Sequence, residues 1–122
     1  GDVLLTPGCA QAWSPRVLRA AMGAHFGLRL WEGCDVALAL TGFPGAILAA
    51  DLRDAVDLYD MDLRIPVAWL FGSEGQGLSA AVAALATRRV LIPMPGGMES
   101  LNVGVAAGVC LFEQLRQRRS GR

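Results

Sequence analysis

Apolar residues fall into short blocks separated by glycine, proline and acidic residues, and the blocks alternate between two kinds of pattern. Compact runs at Val3–Leu5, Leu28–Trp31, Ala46–Ala50, Val67–Phe71 and Arg89–Ile92 predict buried strands. Between them lie segments of helical character. Ser14-Pro15 reads as an N-cap followed by a first helical position, and Val17, Leu18, Ala21 and Met22 recur at helical spacing until Gly23. Cys34–Leu40 is helix-like and closed by Thr41-Gly42, with Pro44 beyond. Ser79 caps a helix over Ala80–Ala86, and a final helix spans Leu101–Arg118. Strands alternating with helices over short connections predict an α/β domain with a mostly parallel sheet and helices on both faces, occupying residues 1–122 without a second domain.

The final helix carries a stripe of Leu101, Val105, Gly108, Phe112 and Leu115, while Val103, Ala106, Ala107 and Cys110 make its other side apolar as well. A helix apolar on two faces has two partners. The sheet is one, and a second copy of the chain is the expected other. The alternative is a helix sunk in the monomer core. Arg116, Arg118, Arg119 and Arg122 follow as a basic tail, suited either to RNA phosphate or simply to the carboxyl end of the helix.

Composition narrows the function classes. Of 122 residues, 53% are apolar and 18% charged, which excludes a disordered chain. The longest uncharged stretch, Val36–Ala50, is too short to cross a bilayer and is broken by Gly42, Pro44 and Gly45, so no membrane role is expected. Eleven basic residues balance eleven acidic ones, and every basic residue is arginine. Without lysine there is no Schiff-base or P-loop chemistry, and without net charge a polyanion must be held by local patches. Cys9, Cys34 and Cys110 fit neither a disulfide framework nor a zinc site and read as buried reduced thiols of a cytoplasmic protein. Five aspartates between Asp51 and Asp62 read as a solvated surface loop, with metal binding as the sharper alternative; no metal is expected. The single histidine, His25, follows a helix end and reads as structural.

Three segments carry chemistry. Phe71-Gly72-Ser73-Glu74-Gly75-Gln76-Gly77 is a glycine-rich turn after a buried strand. It matches a dinucleotide fingerprint poorly, because Glu74 stands where a glycine would approach a pyrophosphate, and this counts against a nicotinamide-dependent oxidoreductase. A plain strand-to-helix turn is the simpler alternative. The loop from Ile92 to Ser100 holds two prolines, two glycines and two methionines. It can present main-chain donors and acceptors to an adenine edge, with Met94 and Leu101 as apolar walls. Ser100-Leu101-Asn102 then opens the last helix, with Ser100 a good N-cap and Asn102 placed to orient a hydroxyl.

Leu70-Phe71-Gly72-Ser73-Glu74-Gly75-Gln76-Gly77-Leu78-Ser79 resembles the second signature motif of the SpoU (TrmH-like) branch of the SPOUT RNA methyltransferases. Ile92-Pro93-Met94 through Glu99-Ser100-Leu101-Asn102-Val103, continuing Ala106-Ala107-Gly108, resembles the third. Ser14 through Ala24 is similar to the stretch that follows the first motif, so the resemblance covers essentially the whole chain. It implies a C-terminal trefoil knot, a topology so rare that no periodicity would suggest it. It also implies S-adenosylmethionine in the knotted loops, held by Gly72, Ile92 and Leu101 largely through backbone, with Leu70, Met94 and Thr41 as walls. The implied reaction is methyl transfer to a ribose 2′-hydroxyl of rRNA or tRNA, in a homodimer built on the last helix. A sulfonium methyl is already electrophilic, so the protein's part is positioning and proton removal. Glu74, Ser100 and Asn102 are the candidate catalytic residues, although none is a convincing base for a ribose hydroxyl.

The family's first motif, an asparagine and glycine followed by an arginine, precedes the strand that matches Val3–Leu5 and is not in this sequence, nor is an RNA-recognition extension. The expectation is therefore a methyltransferase parent and a chain that is weak or inactive alone. The competing expectation is a non-catalytic module for cofactor binding and dimerisation.

Overall fold

A computed structural model describes residues 1–73, 75–98 and 100–121, which form two compact units, Gly1–Thr41 and Gly42–Arg122. In the first, β1 (Asp2–Leu4) and β2 (Arg29–Trp31) form a two-stranded parallel pair in which Val3 faces Leu30. Across this pair the Asp2 carboxylate accepts from Arg29 Nε and Nη2, both at 2.8 Å, and from Trp31 Nε1 at 3.1 Å. These bonds, the Arg29 fork first, hold its carboxyl below the ordinary range. Between the strands runs α1 (Pro15–Ala21). Ser14 Oγ accepts from Val17 N, Pro15 supplies a preset φ, and left-handed Met22 ends the helix. His25 Nε2 bonds the Ala12 carbonyl and its ring tilts against Trp13 at 4.8 Å, a structural position. The predicted helix Cys34–Leu40 contracts to α2 (Val36–Ala39), because Asp35 caps it through Leu38 N.

The second unit is built on a four-stranded parallel sheet. Its strands are β3 (Ala46–Ala50), β4 (Val56–Asp57), β5 (Val67–Leu70) and β6 (Arg88–Leu91), in the order β4-β6-β3-β5. The last strand lies between two earlier ones, an order that winding the chain strand by strand does not produce. Thr87 pins its register: its hydroxyl donates to Ile47 O at 2.9 Å and accepts from Ile47 N at 3.1 Å. The β4 edge is a correction to the reading of Asp51–Asp62 as a plain loop. Its aspartates do not converge either. Asp51, Asp57 and Asp62 each accept a backbone N–H one or two residues on, and among the described residues no His/Cys/Asp/Glu cluster has a metal-holding arrangement.

Leu48, Leu58, Leu63, Val90 and Cys110 form the core, with Trp69, Phe71, Ile92 and Val109 packed against it. Burial pushes the Cys110 thiol up to about 11. Cys9 is exposed and Cys34 half-buried, so only one of the three cysteines sits as expected. The helix after β5, α3, spans only Ala80–Ala83. The final helix, α4 (Val103–Ser120), starts two residues later than predicted. Its inward face is not the expected stripe. Val109, Cys110, Glu113 and Gln114 turn inward, while Val105, Leu111, Phe112 and Leu115 are exposed in the single chain. Hydrophobic spacing misses this because much of the inward face is polar. Gln114 accepts from Trp69 Nε1 at 3.1 Å and donates to Leu63 O, and Gln117 accepts from Leu63 N at 2.8 Å and donates to Met61 O. Side-chain amides thereby satisfy the backbone of a segment outside the sheet. Among the described residues no helix is long and apolar enough to cross a membrane.

Candidate functional site

The sheet directs attention to the carboxyl ends of its strands, where the chain leaves β3, β5 and β6. After β3, Ala50–Arg53 turn away from the sheet; after β5 comes the glycine-rich turn; after β6 the proline-rich loop leads into α4. All three exits contribute to one open cleft of about 730 Å³, lined by Ala50–Arg53, Phe71–Ser73, Gly75–Leu78, Ala83, Ser100–Val103 and Ala106. Two stretches far apart in sequence, residues 72–73 with 75–78 and residues 100–103, therefore share a wall. The volume lies inside the roughly 300–1,000 Å³ usual for small-molecule sites.

The glycine-rich turn closes on itself. Ser73 bridges Gly77, whose N–H donates to Ser73 O at 2.9 Å. A methyl group added to Gly72 would stand 2.2 Å from the carbonyl carbon of Gly77 and 2.4 Å from Leu78 N. Only a residue without Cβ permits that approach, which leaves backbone rather than side chain lining this part of the cleft. Phe71, Leu78, Leu101, Val103 and Ala106 give the remaining wall its apolar part, beside the polar Asp51, Arg53, Gln76, Ser100 and Asn102.

At the start of α4 the N-cap is Asn102, not Ser100. Its Oδ1 accepts from Gly104 N at 2.9 Å and Val105 N at 3.2 Å. Ser100 is left exposed on the cleft wall two residues ahead of the cap. Asn102 is thus fixed by the helix it starts.

The predicted residues divide accordingly. Gly72, Ser100, Leu101 and Asn102 line the cleft. Leu70 is buried at the end of β5, Ile92 packs on the core, and Met94 is half-buried; the cleft lining does not include these three. Thr41, in the first unit, is exposed and donates its hydroxyl to Ala37 O at 2.9 Å. Glu74 lies outside the described residues, as does Glu99.

Sequence reasoning passed over Asp51 and Arg53. Asp51 Oδ1 accepts from Leu52 N at 2.7 Å and Arg53 N at 3.2 Å, while Oδ2 faces Arg53 at 3.6 Å and Arg89 at 3.9 Å. Partial burial pushes its carboxyl up, but the two backbone donors and Arg53 outweigh that and hold it below its ordinary range. On the β3 side of the cleft the Asp51 carboxylate is therefore offset by Arg53 and Arg89. The one available signal was position, immediately after a buried strand.

Known proteins match this chain along nearly its whole length. A model of the SpoU rRNA Methylase family matches residues 1–112. An uncharacterized tRNA/rRNA methyltransferase of Synechocystis is 40% identical over 119 residues, covering 95% of this chain and 43% of that protein. A 23S rRNA uridine 2′-O-methyltransferase of Streptomyces viridochromogenes is 35% identical, covering 93% and 42%. The crystal structure of the SpoU methyltransferase AviRb from the same organism, in complex with AdoMet, superposes with a TM-score of 0.85 at 30% identity, over 98% of this chain and 50% of that one. The chain thus spans about half or less of these relatives. Sequence, parallel α/β topology and the paired loops agree: the chain belongs to the SpoU rRNA Methylase family and has that family's knotted α/β fold.

Proposed function

We propose that the chain is the cofactor-binding part of a cytoplasmic enzyme that transfers a methyl group from S-adenosylmethionine to a ribose 2′-hydroxyl of rRNA or tRNA. The observation that carries this reading is the shared cleft. Residues 72–73, 75–78 and 100–103, from the two segments that resemble the family's motifs, line one cleft at the strand ends. The residues present suit the cofactor. A backbone-lined turn with apolar side chains beside it accepts a nucleoside. When bound, the cofactor supplies an electrophilic methyl on sulfonium.

The chain's own residues then position and exclude. Gly72 and Leu101 offer backbone at the cleft, and Leu70, Ile92 and Met94 belong to the proposed binding set. Ser100 presents its hydroxyl to the acceptor sugar, Asn102 orients it and holds the loop, and Glu74 is assigned to the same catalytic group. A homodimer through α4 belongs to the same reading, supported by Phe112, 73% exposed, beside Val105, Leu111 and Leu115.

Calorimetric titration with S-adenosylmethionine, followed by methyl transfer to bulk rRNA and tRNA, tests this. Saturable binding of the cofactor by this chain, with 2′-O-methyl product weak from the chain alone and strong from the whole enzyme, is the expected result. Absence of cofactor binding overturns the proposal, and binding without transfer converts it to a cofactor-binding and dimerisation module.

A further inference from the structure

Six of the eleven arginines of this lysine-free chain fall into two groups. Arg29, Arg64 and Arg116 each grip a carboxylate with two bonds between 2.7 and 3.0 Å, to Asp2, Asp62 and Glu113. Their planar forks are fully engaged. Arg53 and Arg89 differ. They share one oxygen of Asp51 at 3.6 and 3.9 Å, too far for a hydrogen bond, and their N–H forks remain open. Arg88 is exposed and makes no ion pair among the described residues. Arg53 and Arg89 meet at Asp51, and Arg88 shares a cavity with Arg89. Arg53 lines the cleft; Arg88 and Arg89 line a second open cavity of about 600 Å³ with Asp54, Val56 and Thr87. Ala83 borders both cavities.

A ribose 2′-oxygen and the 3′-phosphodiester sit on adjacent carbons. A site that takes the hydroxyl of an RNA chain therefore takes phosphates at its rim. Open guanidinium forks are the donors suited to phosphate oxygens, and a loosely held carboxylate can keep them in place without closing them. We propose that Arg53, Arg88 and Arg89 form a phosphate-binding rim beside the cleft, which receives the RNA backbone next to the methylated nucleotide. Asp51 holds two of the three arginines at the rim, and the Asp54 carboxylate limits the net charge so that the rim binds in register rather than indiscriminately. This rests on the methyltransferase reading above.

The test is fluorescence anisotropy of a short labelled single-stranded RNA of mixed sequence, across a salt series, with the full chain. The double variant Arg88→Ala/Arg89→Ala should bind about tenfold more weakly. The slope of log affinity against log salt should fall by about 1.4, roughly 0.7 for each of two lost phosphate contacts. Arg64→Ala, which removes a closed fork, should leave both unchanged. Equal affinity and slope in the double variant overturn the rim. If alanine unfolds the chain, Arg88→Gln/Arg89→Gln gives the same reading with the stems retained. Calorimetric binding of S-adenosylmethionine on the same wild-type preparation separates the two claims: loss of cofactor binding sinks the methyltransferase reading, whereas an unchanged salt slope with intact cofactor binding sinks only the rim.

Discussion

The two units bury their apolar residues very differently. The second closes Leu48, Leu58 and Leu63 completely, with 0% exposure, behind a sheet and an 18-residue helix. The first buries only Ala12 and Val36 below a tenth of their surface, while Phe26 is 97% and Met22 89% exposed. Burial of apolar area is the dominant stabilising term. The second unit therefore carries most of the stability, and it also carries the cleft. Loops that share a ligand must be held by something that does not move, and here that is the sheet beneath them. Tryptophans separate the units spectroscopically, since Trp13 and Trp31 belong to the first and Trp69 alone to the second.

Leu48→Ala gives the largest expected effect. It removes a fully buried side chain from the central strand and should cost about 2–5 kcal/mol. Denaturant unfolding followed through Trp69 should shift to a markedly lower midpoint. A shift below about 1 kcal/mol would mean that the sheet is not the stabilising centre.

Glu113 comes next. The bidentate Arg116, then Gln117, hold this buried carboxyl down to about 2, from an ordinary 4.5. A carboxylate depressed by folding stabilises above its unfolded value and loses that contribution as pH falls through the folded one. The second unit should therefore weaken progressively from about pH 4.5 down towards about pH 2. Glu113→Gln should be less stable at neutral pH and lose less on acidification. An identical acid profile in the variant would remove Glu113 from that balance. Asp62 is held down to about 2 as well, by Arg64, but half of its surface is exposed and solvent screening leaves it a smaller share.

How much of this the sequence discloses depends on which force shapes each element. Ala46–Ala50 is predicted to the residue, and the β5 and β6 runs to within one, because strands of a buried parallel sheet are continuous apolar runs. The β4 edge is not predicted, since Val56–Asp57 is a two-residue strand within acidic sequence, held by pairing with Val90 and Leu91 rather than by its own preference. The inward face of α4 is misread for a related reason: Glu113 and Gln114 are buried by specific hydrogen bonds, which periodicity does not encode. In the cleft, Gly72 and the 100–102 segment are legible as motif residues. Asp51 and Arg53 are hidden among aspartates that mostly close local turns.

Asn102 tests whether cap and chemistry are separable. Asn102→Ala removes the acceptor for Gly104 N and Val105 N and should cost about 1 kcal/mol. Asn102→Asp retains an acceptor oxygen at a helix N-terminus and should unfold within about 0.5 kcal/mol of the wild type. If Asn102 also orients the acceptor sugar, methyl transfer falls in both variants while stability falls only in the first. Full turnover in Asn102→Asp would make its role structural.

The smallest expected effect lies in the first unit. Phe26 ends a three-residue 3-10 turn and is almost wholly exposed, so Phe26→Ser removes little buried area. Its cost should stay within about 0.5 kcal/mol, the usual range for surface substitutions. The midpoint seen through Trp69 should not move, and that seen through Trp13 and Trp31 should move little. The variant discriminates because the alternative makes the opposite prediction. If the apolar surface of the first unit were covered in the protein as it functions, Phe26 would behave as a buried aromatic, whose loss costs about 3–5 kcal/mol. A large, concentration-dependent drop would then show that the weakly packed unit is completed by contact with another molecule, and the contrast between the units would be one of partners rather than of intrinsic packing.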